Sequence, residues 1–148
     1  MGLDISFYKL KSRSRAKRYI KNHIKDIDFS YGVLSTKLIH DFANNQLSAM
    51  LYFRKVNFIF AFFEQDLYES QLAILTKKDL ERLLKATEEV IKNPSKASEL
   101  LPTAPGFFFG NTEYNDHYYE RVKEVNRDLK MIIHRIKDDD VIYLDCDW

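Results

Sequence analysis

Apolar and polar residues alternate at the start of the chain, with Leu3, Ile5 and Phe7 set against Asp4, Ser6 and Tyr8. A period of two predicts a strand over Leu3–Leu10. The period then lengthens. Ala16, Ile20, Ile24 and Ile27 recur at helical spacing and predict an amphipathic helix over about Ser14–Ile27, capped by Ser12 or Ser14. Phe29–Gly32 reads as a turn. Ser35 then caps a second helix, Thr36–Asn44, that turns Leu38, Ile39 and Phe42 inward.

Leu47–Phe63 gives two opposed signals. Ten of the thirteen residues from Leu51 to Phe63 are apolar or aromatic. Their β-branched and aromatic character favours a strand. The length of the segment, with no Gly or Pro to divide it, favours a helix. The expectation is a largely buried central helix. On such a helix Arg54 and Asn57 share a face and Lys55 points elsewhere.

Gln71–Leu75 reads as a short strand or a loop. Thr76 is an N-cap with Asp79 at the third helical position, and Lys77–Lys92 places Leu80, Leu83, Leu84, Thr87 and Ile91 on one face. Asn93-Pro94 stops that helix. Ser95–Leu100 is a further short helix, ended by Pro102. Glycines on both sides of Phe107, Phe108 and Phe109 predict a three-residue aromatic strand. Asn115 or Asp116 caps a long helix running to Ile136, lined by Tyr118, Val122, Val125, Leu129, Ile132, Ile133 and Ile136. Asp138–Asp140 makes a turn. Val141–Trp148 alternates Ile142, Leu144 and Cys146 against Tyr143, Asp145 and Asp147, a closing strand. No strand–helix–strand rhythm repeats, which argues against a doubly wound sheet. The expected fold is a single α+β domain over 1–148: a small mixed or antiparallel sheet of three or four short strands packed by four or five helices.

Composition agrees with a packed core, at 148 residues, 45% hydrophobic and 30% charged. Eleven Phe and nine Tyr make aromatic packing a large part of that core. Cys146 is the one cysteine, so no intramolecular disulfide and no cysteine-based zinc site can form. The first residues carry no basic region followed by an apolar run, and the apolar stretch at 51–63 is too short and polar to span a bilayer. The expected location is the cytoplasm of a cell, without membrane attachment.

The charge balance is uneven along the chain. Net charge is +1, yet Lys9, Lys11, Arg13, Arg15, Lys17, Arg18, Lys21 and Lys25 fall within seventeen residues that hold no acid. Such a stretch suits nucleic-acid phosphates or an acidic protein face, with Arg13, Arg15, Lys17, Arg18, Lys21 and Lys25 as its contacts. The plainer alternative is a solvated helix face balanced by the aspartates of 138–147.

Other candidate chemistry is sparse. Arg54 and Asn57 with Glu113 and Tyr114 are candidates for a partner or anion site, because a guanidinium fork matches carboxylates. Arg54, Glu113 and Tyr114 are also the residues an enzyme would use, if they converged. Against that stands an internal pairing of Arg54 with Glu113. His23, His40, His117 and His134 show no metal-ligand spacing, and no nucleophile motif is present. No cofactor and no catalytic residue are expected.

Three groups of residues also resemble a known family: Met1-Gly-Leu-Asp4; Tyr52-Phe-Arg-Lys-Val-Asn57 running on to Phe62-Phe63; and Leu100-Leu-Pro-Thr103, Gly106-Phe-Phe-Phe-Gly110 and Thr112-Glu-Tyr114, with Tyr118-Tyr119 and the closing Trp148. They are similar to small proteins of unassigned function found in bacteriophages, prophages and their bacterial hosts. The resemblance carries no activity, cofactor or catalytic residue with it. Its pattern has a tryptophan where Phe53 stands and a histidine where Phe60 stands, so a mechanism needing that imidazole could not run in this chain. A compact domain with a basic face, abundant tyrosine and no catalytic constellation is expected to be a non-enzymatic interaction protein that binds a macromolecule; the resemblance implies a phage or prophage association, with a host or phage protein as partner and host machinery or defence as the setting. Nucleic-acid binding through residues 9–25 is the alternative.

Overall fold

The computed structural model describes residues 2–10 and 47–148. The helices expected at Ser14–Ile27 and Thr36–Asn44, and the turn at Phe29–Gly32, lie outside the described residues. Four strands form one antiparallel sheet: β1 (Asp4–Leu10), β2 (Leu47–Arg54), β3 (Leu72–Leu75) and β4 (Ile142–Asp147), in the order β2-β1-β4-β3. The helices among the described residues are α1 (Asn57–Phe63), α2 (Lys77–Lys92), the short α3 (Ala97–Leu100) and α4 (Asp116–Ile132). The α+β class expected from the sequence is the class observed.

The two strands with the cleanest alternation lie side by side at the centre of the sheet. In β1 and β4, Ile5 stands opposite Cys146 and Phe7 opposite Leu144. On the other flank of β1, Ile5 faces Phe53. These residues, with Ala73 and Leu75 of β3, form the apolar face of the sheet. Leu80, Leu83 and Val90 of α2 and Val122, Val125 and Leu129 of α4 close the core over it. Phe7 meets Phe63 of α1 edge-on, with centroids 6.4 Å apart. Between α2 and α4 the buried Asn126 donates to Thr87 Oγ1 at 3.0 Å, and Thr87 donates on to the Leu84 carbonyl. One buried polar pair thereby fixes how the two long helices face each other.

Four expectations need correction. Leu47–Phe63 is a strand followed by a helix, not a single helix. Each piece has an ordinary length for its type. The break falls at Lys55, which adopts a left-handed φ of 56° without being glycine. Its N–H donates to the Leu3 carbonyl at 2.6 Å, so a tertiary contact holds the corner. Arg54 and Asn57 therefore share no helix face.

The second correction is at Gly106–Gly110, where a turn replaces the expected strand, closed by Phe109 N–H donating to the Gly106 carbonyl at 3.1 Å. Third, Ile91 is exposed and Ala86 and Val90 are buried in its place, because the buried line of α2 runs Leu80, Leu83, Thr87, Val90. Fourth, α4 stops at Ile132, and one tighter turn, Ile133–Arg135, carries the chain to the buried Ile136. The helix starts do follow expectation. The Asp79 carboxylate accepts from the Thr76 N–H at 2.8 Å, and Asn115 accepts from the Tyr118 N–H at 3.1 Å.

Two measurements test this description. Lys55→Val should lower stability by about 1–2 kcal/mol in urea unfolding, since a β-branched residue is poorly accommodated at positive φ, whereas Lys55→Gly should be close to neutral. Asp145 supplies a pH dependence. Burial first, and the Asp147 carboxylate second, push its carboxyl up to about 6. A raised acid pKa means that the folded state holds the proton more tightly than the unfolded chain. The contribution of Asp145 to stability is therefore full below its unfolded pKa and is lost as pH rises through about 6. Asp145→Asn should gain roughly 1–2 kcal/mol at pH 7 and flatten this slope in unfolding curves taken across that window.

Candidate functional site

The polar residues inside the apolar 51–63 segment separate by role. Arg54 and Lys55 are exposed, while Asn57, at the first position of α1, is buried. The Asn57 carboxamide directs its three hydrogen bonds to one loop. Its Nδ2 donates to the carbonyls of Phe109 and Asn111, each at 3.0 Å, and its Oδ1 accepts from the Ala104 N–H at 3.2 Å. The Leu3 N–H donates to the Phe108 carbonyl at 2.9 Å from the other side.

Both glycines of the turn are required by this packing. A Cβ on Gly106 would lie 2.5 Å from the Phe109 ring, and Gly110 has a φ of 88°. Phe109 turns inward against Phe60 and Trp148, with centroids 4.8 and 5.2 Å away. Phe60 is thus a core residue that also meets Trp148 edge-on at 5.6 Å. Phe107 turns outward and is 94% exposed. A turn braced from two sides presents a bare aromatic ring to solvent.

A cleft of about 40 Å³ adjoins this loop, lined by Lys55, Asn57, Asn111, Glu113, His117 and Arg121 among others. It holds a few waters at most, against roughly 300–1,000 Å³ for small-molecule sites. Arg121 is engaged there: its Nη2 donates to the Arg54 carbonyl at 2.8 Å and its Nη1 pairs with Glu124. A larger hollow of about 210 Å³ lies at the opposite end of the sheet between Lys9, the first residue of the basic segment, Met50 and Ile136, and it is not lined by Arg54, Asn57, Glu113 or Tyr114.

Of the four described candidates, Asn57 and Glu113 meet at the small cleft, and Arg54 and Tyr114 do not join them. Among the described residues no ion pair joins Arg54 to Glu113. Tyr114 accepts through its hydroxyl from the Thr103 N–H at 3.2 Å, and Thr103 Oγ1 donates to the Thr112 carbonyl, so this stretch ties the loop to itself. Lys9, first of the basic stretch, lies 3.6 Å from the buried carboxylate of Asp140. Arg13, Arg15, Lys17, Arg18, Lys21 and Lys25 lie outside the described residues.

Among the described residues no group of three or more His, Cys, Asp or Glu side chains could hold a metal ion, and no helix is long and apolar enough to cross a membrane. Cys146 is fully buried, and burial first, then Asp145, pushes its thiol up. A nucleophile would need the reverse shift. Arg121 was missed by sequence reasoning, and Lys55 and His117 were weighed separately, since only the fold brings the three to one cleft. The glycine-bounded Phe triplet was visible, but not which of its three rings faces water.

No protein-family model matches the chain, and neither a curated protein nor a solved structure is significantly similar to it.

Replacing Asn57 tests its part as the brace. Asn57→Leu would leave two carbonyls and one N–H without their partner and should cost about 3–5 kcal/mol in thermal or urea unfolding. A loss under about 1 kcal/mol would mean that the loop holds its shape without it.

Proposed function

We propose that the protein is a non-enzymatic binding protein whose contact point is the turn Gly106–Gly110. The observation carrying this reading is Phe107, 94% exposed on a turn whose backbone is held by Asn57 and Leu3. Leaving a large apolar ring in water is unfavourable by itself, and single aromatic side chains often carry much of an interface's binding energy. A turn already fixed in shape loses little further entropy when it docks.

The small cleft, the engaged Arg121 and the buried thiol give an enzyme little to work with. The sequence resemblance supports a phage- or prophage-associated role in the cytoplasm of a host cell, with a host or phage protein as the partner and host machinery or defence as the setting. Nucleic-acid binding through residues 9–25 is the second reading, favoured by the eight cations there.

A pull-down from the native host, with and without nuclease, separates the two. The wild-type chain should retain a protein after nuclease treatment. Phe107→Ala should lose that protein, a cost of about 2 kcal/mol or more in binding, while its unfolding free energy moves by less than about 0.5 kcal/mol. Capture that vanishes with nuclease would favour the basic stretch, and equal capture by Phe107→Ala would remove the turn as the contact point.

A further inference from the structure

The sheet has a second face. Side chains alternate along a strand, so Tyr143 of β4 points away from Leu144, and Leu72 of β3 points away from Ala73. Leu144 and Ala73 belong to the core that α1, α2, α3 and α4 share, and that core includes neither Tyr143 nor Leu72. Both are nonetheless buried, at 4% and 2% exposure. Tyr8 and Ile74 stand on either side of Tyr143 in the neighbouring strands and are half-buried. Asp145, between Ser6 and Leu72, lies on this face too, and burial is the first cause of its raised carboxyl. An open sheet face would leave all of these side chains in water.

Among the described residues no helix lies over this face, because all four pack on the other. The bridge between Tyr68 and Leu72 extends the sheet in its own plane and does not cross it. Tyr143 and Leu72 are shut from water within one chain, so the occupant is a segment of that chain and not a second copy or a partner. Residues 11–46 leave β1 at Leu10 and enter β2 at Leu47, two residues that stand opposite each other, so the segment starts and returns at one point on the sheet's rim. It carries apolar residues at helical spacing that need a surface: Ala16, Ile20, Ile24 and Ile27, then Leu38, Ile39 and Phe42. A helix over 14–27 would be roughly 20 Å long, and four strands set about 4.8 Å apart span roughly 15 Å.

We infer that residues 11–46 pack across this second face, with Ile20, Ile24 and Ile27 seated on Tyr143, Ile74 and Leu72. The sheet is then the middle of three layers, apolar on both sides. The inference stands apart from the reading of the aromatic turn. Its consequence falls on the basic stretch, which is anchored through its apolar side and offers a partner only its charged side. A stretch already seated loses less entropy on binding than a free arm would.

Photo-crosslinking within the purified full-length protein tests this, with p-benzoylphenylalanine in place of Ile74. The control carries the same probe in place of Phe107, on the turn that Leu3 fastens to the other end of the sheet. The expected result is an adduct from position 74 to a peptide within 11–46, in a product that runs as a monomer, and none to that segment from position 107. An adduct from position 74 only to a second copy, or only to residues outside 11–46, would overturn the inference.

Tyrosine nitration by tetranitromethane gives a reading that needs no probe in the sheet. Ile20→Asp with Ile24→Asp should speed nitration of Tyr143 about tenfold, while Tyr118 of α4, 6% exposed in the core on the other face, stays slow. Nitration of Tyr143 unchanged by that double variant would show that another part of the chain shields it, and the inference would be lost.

Discussion

The Asn57 carboxamide is the contact on which this end of the molecule depends. It is buried at the first position of α1, and it reaches three backbone groups in a loop some fifty residues later in the chain. Hydrophobic packing alone could not hold that loop in one shape, because apolar contacts have no direction. A carboxamide with two donors and one acceptor oxygen does specify it. The same residue begins α1 just after the Lys55 corner, so one side chain joins the strand-to-helix switch to the aromatic turn. Phe109 then locks the arrangement from within, against Phe60 and Trp148.

Where the sequence was legible, a local pattern and a tertiary need agreed. The alternation in β1 and β4 was readable because one face of each strand meets the helices. The Thr76 and Asn115 caps were readable because capping is settled within a few residues. The Lys55 corner had no such sign. Left-handed backbone is usually announced by Gly or Asn, and here a lysine is held there by the Leu3 carbonyl, a partner far away in sequence. The Phe triplet misled for a related reason. Flanking glycines mark a strand's limits and a tight turn equally well, and the Asn57 hydrogen bonds decided between them.

The candidate site was legible in its parts but not in its assembly. Asn57 and the Gly106–Gly110 segment were both visible as unusual. Pairing Arg54 with Glu113 looked reasonable while 51–63 was read as a helix; ending β2 at Arg54 leaves that side chain at the sheet's end instead. Burial then sorted the polar residues. Asn57 serves the fold, Arg54 and Lys55 face water, and Tyr114 braces its own loop. Electrostatics follows the same division: Tyr118, Asp145 and Cys146 are raised first by burial in the sheet and core, whereas the exposed Tyr52 is raised first by its hydrogen bond to Asp4.

The strand order also governs how the chain must be made. β1, the first of the four strands in chain order, sits between β2 and β4, the latest of them. During synthesis, β1 and β2 can pair as soon as both leave the ribosome, but the other edge of β1 stays bare until residues 142–147 emerge. β3, only four residues long, pairs among the described residues with β4 alone. The nascent sheet therefore keeps an open edge until β4 has been made. Such an edge invites wrong pairing or capture by chaperones. Completion of the sheet, and with it the seating of Trp148 beneath the aromatic turn, waits on the strand that comes latest of the four.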